Sequence, residues 1–143
     1  MSEKYSGYKS NNNVVYSCKY HVVWTTKYRR PVLVNGVDVR LKQLIKLKAG
    51  EMQCEVLELE VQPDHVHLLI EVDPQFGIHK ALKRIKGATS HDLRNDPHFK
   101  WLRSRLPSLW TNSYFVSTVG GASLDVVKRY IQNQEWSAEN KDA

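Results

Sequence analysis

Two short alternating runs, Cys54–Val61 (CEVLELEV) and His65–Val72 (HVHLLIEV), are separated by little more than a Pro63–Asp64 pair, and no other feature restricts the fold of this chain as tightly. Alternation with period two is the mark of a strand that lays one face on a core and turns the other outward. Proline and aspartate are turn formers, so the two runs are read as a β-hairpin. The flanking patterns follow from this. Val14–Lys27 (VVYSCKYHVVWTTK) is rich in β-branched and aromatic residues without Gly or Pro and predicts one long first strand, ended by Tyr28-Arg29-Arg30-Pro31. Asp38–Met52 places Leu41, Leu44, Ile45 and Met52 on one face, which predicts a helix with Asp38 as its N-cap. After Pro74 and Gly77, the spacing of Ile78, Ala81, Leu82 and Ile85 predicts a second helix to about Leu93. Asn95–Pro107 reads as a basic connector with one short helical turn, and Tyr114–Val119 (YFVSTV) as a further strand. Gly120-Gly121 breaks that strand, and Ser123–Trp136 forms a last helix with Leu124, Val127 and Ile131 as its apolar stripe. Strand, helix, two strands, helix and strand make an α+β chain with a ferredoxin-like (RRM-like) split βαβ sheet and an additional C-terminal helix.

A chain of 143 residues fits one domain. We place it over 14–137, between a loose polar segment at 1–13 and a tail at 138–143. No apolar run approaches the roughly 20 residues of a membrane span, and the N-terminus lacks the apolar core of a secretory signal. The expectation is a cytoplasmic protein with no membrane partner. Cys18 and Cys54 have no C-x-x-C spacing and are read as small buried hydrophobes in a reducing compartment. Lys and Arg number 21 against 15 Asp and Glu, a net charge of +6 that makes a polyanion the first partner to consider. Lys27, Arg29 and Arg30, and the row Lys80, Lys83 and Arg84, are candidate phosphate contacts or solvated surface. Tyr28, Trp101 and Trp110 are candidates either for stacking on unpaired bases or for packing in the core.

His65 and His67 flank Val66 in the predicted strand, so both imidazoles leave the same face. Read alone, this is half of a metal site or a pair of surface histidines. Asp64, by the same alternation, points away from His65 and is left out of the site. His21, His79, His91 and His98 have no partner at ligand spacing. Tyr130 and Gln134 are one helical turn apart beside the last apolar stripe, with Lys128 and Arg129 adjoining.

Five segments in order carry a resemblance: Lys27–Leu33 (KYRRPVL), Pro63–Ile70 (PDHVHLLI), Trp110–Val116 (WTNSYFV), Thr118–Ala122 (TVGGA) and Tyr130–Gln134 (YIQNQ). Over roughly Cys18–Trp136 the chain resembles the single-tyrosine HUH transposases of small insertion sequences that move as single-stranded DNA. The resemblance implies Tyr130 as the nucleophile, forming a 5′-phosphotyrosine that stores the energy of the cut bond until a 3′-hydroxyl attacks. It implies a divalent metal, Mg²⁺ or Mn²⁺, held by His65, His67 and Gln134; imidazole and amide donors suit Mn²⁺ better, and Mg²⁺ is the more abundant ion. It also implies DNA hairpins near the element ends as partners, Gly120 and Gly121 as a hinge, and a homodimer with composite sites in which Tyr130 of one subunit serves the histidines of the other. Two other readings stand beside it: a domesticated relative that processes repeated hairpins, and a non-catalytic RNA- or single-stranded-DNA-binding module on the same strand order.

Overall fold

In the computed structural model, which describes residues 8–119 and 128–134, the long strand expected over Val14–Lys27 is two strands in different sheets. β1 (Lys9–Ser10) and β2 (Val15–Tyr16) form a small antiparallel hairpin, and β3 (Lys19–Thr25) belongs to the main sheet. The break falls at Ser17-Cys18 because the Cys18 N–H donates to the Glu71 carboxylate at 3.0 Å and its carbonyl accepts from the Val72 N–H. Residues 9–13, expected to be loose, are fastened. The Asn11 side-chain oxygen accepts from the Asn13 and Val14 N–H groups, its amide donates to Asp73, and Lys9 pairs with Glu55. Cys54 is buried as expected, whereas Cys18, at the break, is only half-buried.

α1 (Val37–Glu51) follows β3, and its N-cap is Gly36 at φ 96°, with Asp38 inside the first turn and not at the cap. A left-handed residue is needed to start this helix, a role that glycine fills without strain. β4 (Glu55–Gln62) and β5 (His65–Glu71) form the predicted hairpin, with an irregularity between Val56 and Glu58 that leaves Leu57 outward. α2 (Ile78–Arg94), α3 (Trp101–Arg105) and β6 (Phe115–Thr118) complete the main body, and residues 128–134 are helical. The Gly120–Gly121 hinge, Leu124, Val127 and Trp136 lie outside the described residues.

The main sheet has the order β4-β5-β3-β6 with every neighbour antiparallel, which is the ferredoxin-like arrangement. One face is closed. Val22, Trp24, Val66, Leu68 and Ile70 meet Leu41, Leu44 and Ile45 of α1 and Ala81, Leu82 and Ile85 of α2 in one buried cluster. Trp110 belongs to it, edge-on to Trp24 at 5.8 Å, so it packs in the core. No helix among the described residues is long and apolar enough to cross a membrane.

Candidate active site on the open face of the sheet

His65 and His67 stand together on the sheet face opposite the helices, with ring centroids 4.9 Å apart. Asp64 is not turned away, as alternation suggested. Its carboxylate bridges two groups, accepting from Arg29 Nε–H at Oδ2 (2.7 Å) and meeting His65 Nδ1 at Oδ1 (2.6 Å). Alternation holds within a strand, and Asp64 belongs to the turn ahead of it. Arg29, expected as a phosphate contact, is thereby engaged as a support for Asp64. Tyr28 and Arg29 both have positive φ, at 57° and 53°, a strained conformation for non-glycine residues, and this bend brings the Arg29 guanidinium to the turn. The turn is anchored from the same side, because the Thr26 N–H donates to the Asp64 carbonyl and the Leu33 N–H to that of Pro63.

The network has a chemical consequence. Burial raises the Asp64 carboxyl, but hydrogen bonds from Arg29 and His65 outweigh it and hold the group below the usual carboxylate value. An ionised carboxylate only accepts, so the proton of a neutral His65 lies on Nδ1 and Nε2 is left with a free lone pair. Burial holds His67 below the ordinary histidine value; the neighbouring His65 and His21 add to this, and Glu60, across the β4–β5 pairing, opposes it. Two neutral imidazoles are suited to ligate a cation. Among the described residues no trio of His, Cys, Asp and Glu is gathered for an ion.

Tyr130 and Gln134 occupy the same face from the other side. Val23 is paired with His67 on one neighbour and with Phe115 on the other, so His67, Val23 and Phe115 form a row across three strands. The Tyr130 ring lies 5.6 Å from Phe115. Val23 and Ile131 are buried yet lie outside the main core cluster, as expected where the 128–134 helix covers this end of the face. Ser113 bridges the two helical side chains: its Oγ is 3.1 Å from the Tyr130 hydroxyl, and its own hydroxyl donates to Gln134 Oε1 at 2.8 Å. With that proton committed, the Tyr130 hydroxyl is the donor to Ser113. Burial raises the Tyr130 phenol above its ordinary value, partly offset by the Ser113 bond.

The loop carrying Ser113 is held by Lys86 of α2, whose ammonium donates to the carbonyls of Thr111 (2.8 Å) and Ser113 (2.9 Å). Burial brings Lys86 down to about 8. Neither Ser113 nor Lys86 was singled out from sequence. Ser113 is an exposed serine with no periodic signal, and Lys86 follows the core residue Ile85 at the edge of the apolar stripe, which was its one available sign. Of the remaining candidates, Lys80 and Arg84 lie over the Phe76 ring, Lys27 lies over Tyr28, Arg30 is exposed, and Lys83 lines a cleft beside Lys86.

Comparison with known proteins gives a consistent result. A family model for IS200-like transposases matches residues 14–134. The ISDra2 transposase TnpA of Deinococcus radiodurans is 36% identical over 128 residues, spanning 88% of this chain and 90% of that protein. The transposase for insertion sequence element IS200 of Salmonella typhimurium is 29% identical over 129 residues, spanning 88% and 82%. Among solved structures, a Deinococcus radiodurans protein assigned as a transposase superposes with a TM-score of 0.71 at 35% identity, covering 88% of this chain and 97% of the other. A REP-associated tyrosine transposase bound to a REP hairpin shares the fold, with a TM-score of 0.55 at 12% identity over 86% of this chain and 67% of the other.

Proposed function

Because the chain belongs to the family of IS200-like transposases, we propose that it cuts and rejoins single DNA strands at the ends of its element through a 5′-phosphotyrosine on Tyr130. The observation that carries this reading is the row from His67 through Val23 to Phe115, with the Tyr130 ring against Phe115. Imidazoles and phenol share one open face, on a sheet whose other face is closed by helices.

In the cleavage step the Tyr130 oxygen forms a bond to phosphorus, the P–O3′ bond breaks, and the strand is left with a 3′-hydroxyl. The phenol proton is released to solvent, and Ser113, which accepts the Tyr130 hydrogen bond, orients the hydroxyl. In rejoining, a 3′-oxygen attacks the phosphotyrosine and Tyr130 departs and regains its proton, so no external energy source is required. His65, His67 and Gln134 would hold a Mg²⁺ or Mn²⁺ ion, which when bound would supply Lewis-acid stabilisation of charge on the phosphate oxygens. Asp64 and Arg29 fix the ring and tautomer of His65.

The DNA partner is read as a hairpin with single-stranded flanks. A net charge of +6 and the Lys80, Lys83 and Arg84 row support the polyanionic part of this reading. Joining two ends needs two tyrosines, so the active unit is read as a homodimer in which Tyr130 of one subunit can serve the histidines of the other. A mixture of Tyr130→Phe chains with His65→Ala/His67→Ala chains should then recover cleavage at one site per heterodimer. No recovery in confirmed heterodimers assigns tyrosine and histidines to one chain. The whole reading is tested by incubating the protein with element-end DNA in single- and double-stranded form. Cutting of the single strand alone, lost with chelator, is the expected result; activity indifferent to chelator removes the metal from the mechanism.

A further inference from the structure

Building on the single-strand DNA reading, we infer that the cleft between α2 and the segment 108–114 receives one unpaired nucleotide of the bound strand, with its base against Tyr114 and His79 and its phosphate beside Lys83 and Lys86. The cleft has a volume of about 370 Å³, room for a nucleobase and its sugar. His79 and Tyr114 line it as a stacked pair, with centroids 5.9 Å apart, planes 25° apart and a 2.9 Å hydrogen bond fixing the two rings. A fixed flat surface of this kind accepts a planar ligand at little entropic cost.

The polar groups are arranged for the rest of a nucleotide. Lys86 spends two of its three N–H donors on the loop carbonyls and lies 5.9 Å from the centroid of the Tyr114 ring, which leaves one donor without a hydrogen bond among the described residues. Lys83 adds a second cation one turn away, and the Asn112 amide, on the opposite wall, has no hydrogen-bond partner among the described residues and can address a base edge. Gly87 keeps the wall of α2 open. A Cβ placed there would meet nothing within 4 Å, so the space is kept by the absence of a side chain in mid-helix, where glycine is otherwise unfavourable. Inorganic phosphate would satisfy the lysines and leave the rings and amide unused; a nucleotide uses all three. The same loop presents Ser113 to Tyr130, so an occupied cleft leans on the segment that orients the nucleophile.

The test compares a fluorescein-labelled single strand of oligothymidine with a strand of equal length made of abasic deoxyribose phosphates. Wild-type protein is expected to bind oligothymidine about tenfold more tightly, a factor typical of one stacked base. Gly87→Leu, which fills the cleft, should abolish that difference and leave abasic affinity unchanged, while Lys83→Ala lowers both. Equal loss for both strands in Gly87→Leu, or no loss for either, overturns the proposal. A second measurement needs no variant: oligothymidine carrying 5-iodouracil, irradiated on the wild-type protein, should cross-link within 108–114, and cross-links found only elsewhere refute the cleft. Assaying the Tyr130–DNA adduct in the same preparations separates the two readings. A normal adduct without base-dependent binding removes the cleft alone, and base-dependent binding without any adduct removes the cleavage chemistry alone.

Discussion

The two faces of the main sheet are built from the same strands and yet are opposite in character. Along β5, Val66, Leu68 and Ile70 are buried to 1% exposure or less, while His65, His67 and Leu69 between them are only half-buried. The closed face gains its stability from apolar area removed from water, which is non-directional. The open face carries directed contacts between polar groups: Arg29 to Asp64, Asp64 to His65, Ser113 to Tyr130 and Gln134. Stability and chemistry are thus separated by a one-residue step along a strand, and substitutions at adjacent positions should separate them as well.

The largest effect should come from crossing that step. His65→Ala or His67→Ala should lower cleavage by about three orders of magnitude, the several kcal/mol that a bound cation contributes to a phosphoryl transition state, with melting temperature nearly unchanged. Leu68→Ala, next to His67, should instead cost about 2–5 kcal/mol of stability. Denaturant titrations and single-turnover cleavage on the same preparations check both. Histidine variants that melt as early as Leu68→Ala would erase the distinction between the faces.

A smaller effect is expected one contact behind the site. Asp64→Asn removes the ionised acceptor of both Arg29 and His65, and should weaken metal binding about ten- to a hundredfold, as loss of a carboxylate behind a ligating histidine does. Titration of Mn²⁺ followed by electron paramagnetic resonance measures it directly. An unchanged affinity would make the Asp64–His65 bond incidental.

How much of this was readable beforehand follows from which periodicities apply. The hairpin, both long helices and the shared face of His65 and His67 were legible, because periods of two and of 3.6 are imposed by the backbone itself. The contacts of Asp64 were not, because that residue lies in the turn, where neither period applies and the direction of a side chain depends on the next segment, here Arg29 in a left-handed bend. The division of the first strand was hidden for a related reason. Val14–Lys27 is uniformly strand-like, and what interrupts it at Cys18 is the carboxylate of Glu71, 53 positions away. Ser113 and Lys86 acquire their roles only from long-range neighbours.

The comparison also predicts a pH dependence on the open face. His67 is held below its ordinary value of 6.5 in the folded chain, so as pH falls through about 6.5 the unfolded chain takes up a proton that the folded one does not, and stability declines until the folded value is passed. Asp64, held below 3.8, adds stability at neutral pH that is lost only in a separate, more acidic window. Melting temperatures between pH 8 and pH 5 should therefore fall more for wild type than for His67→Gln; parallel curves would remove His67 as the source. The smallest effect belongs to the helix layer. Gly87→Ala, in mid-α2 with open space at Cβ, should raise stability by about 1 kcal/mol, as read by chemical denaturation.

The most direct measurement identifies the atom that holds the DNA. The protein is incubated with single-stranded element-end DNA and a divalent cation, digested, and the nucleotide-bearing peptide is sequenced by mass spectrometry. The account predicts a 5′-phosphate ester on Tyr130, absent from Tyr130→Phe although that variant still binds the DNA. An adduct on any other residue, or one that persists in Tyr130→Phe, would contradict it.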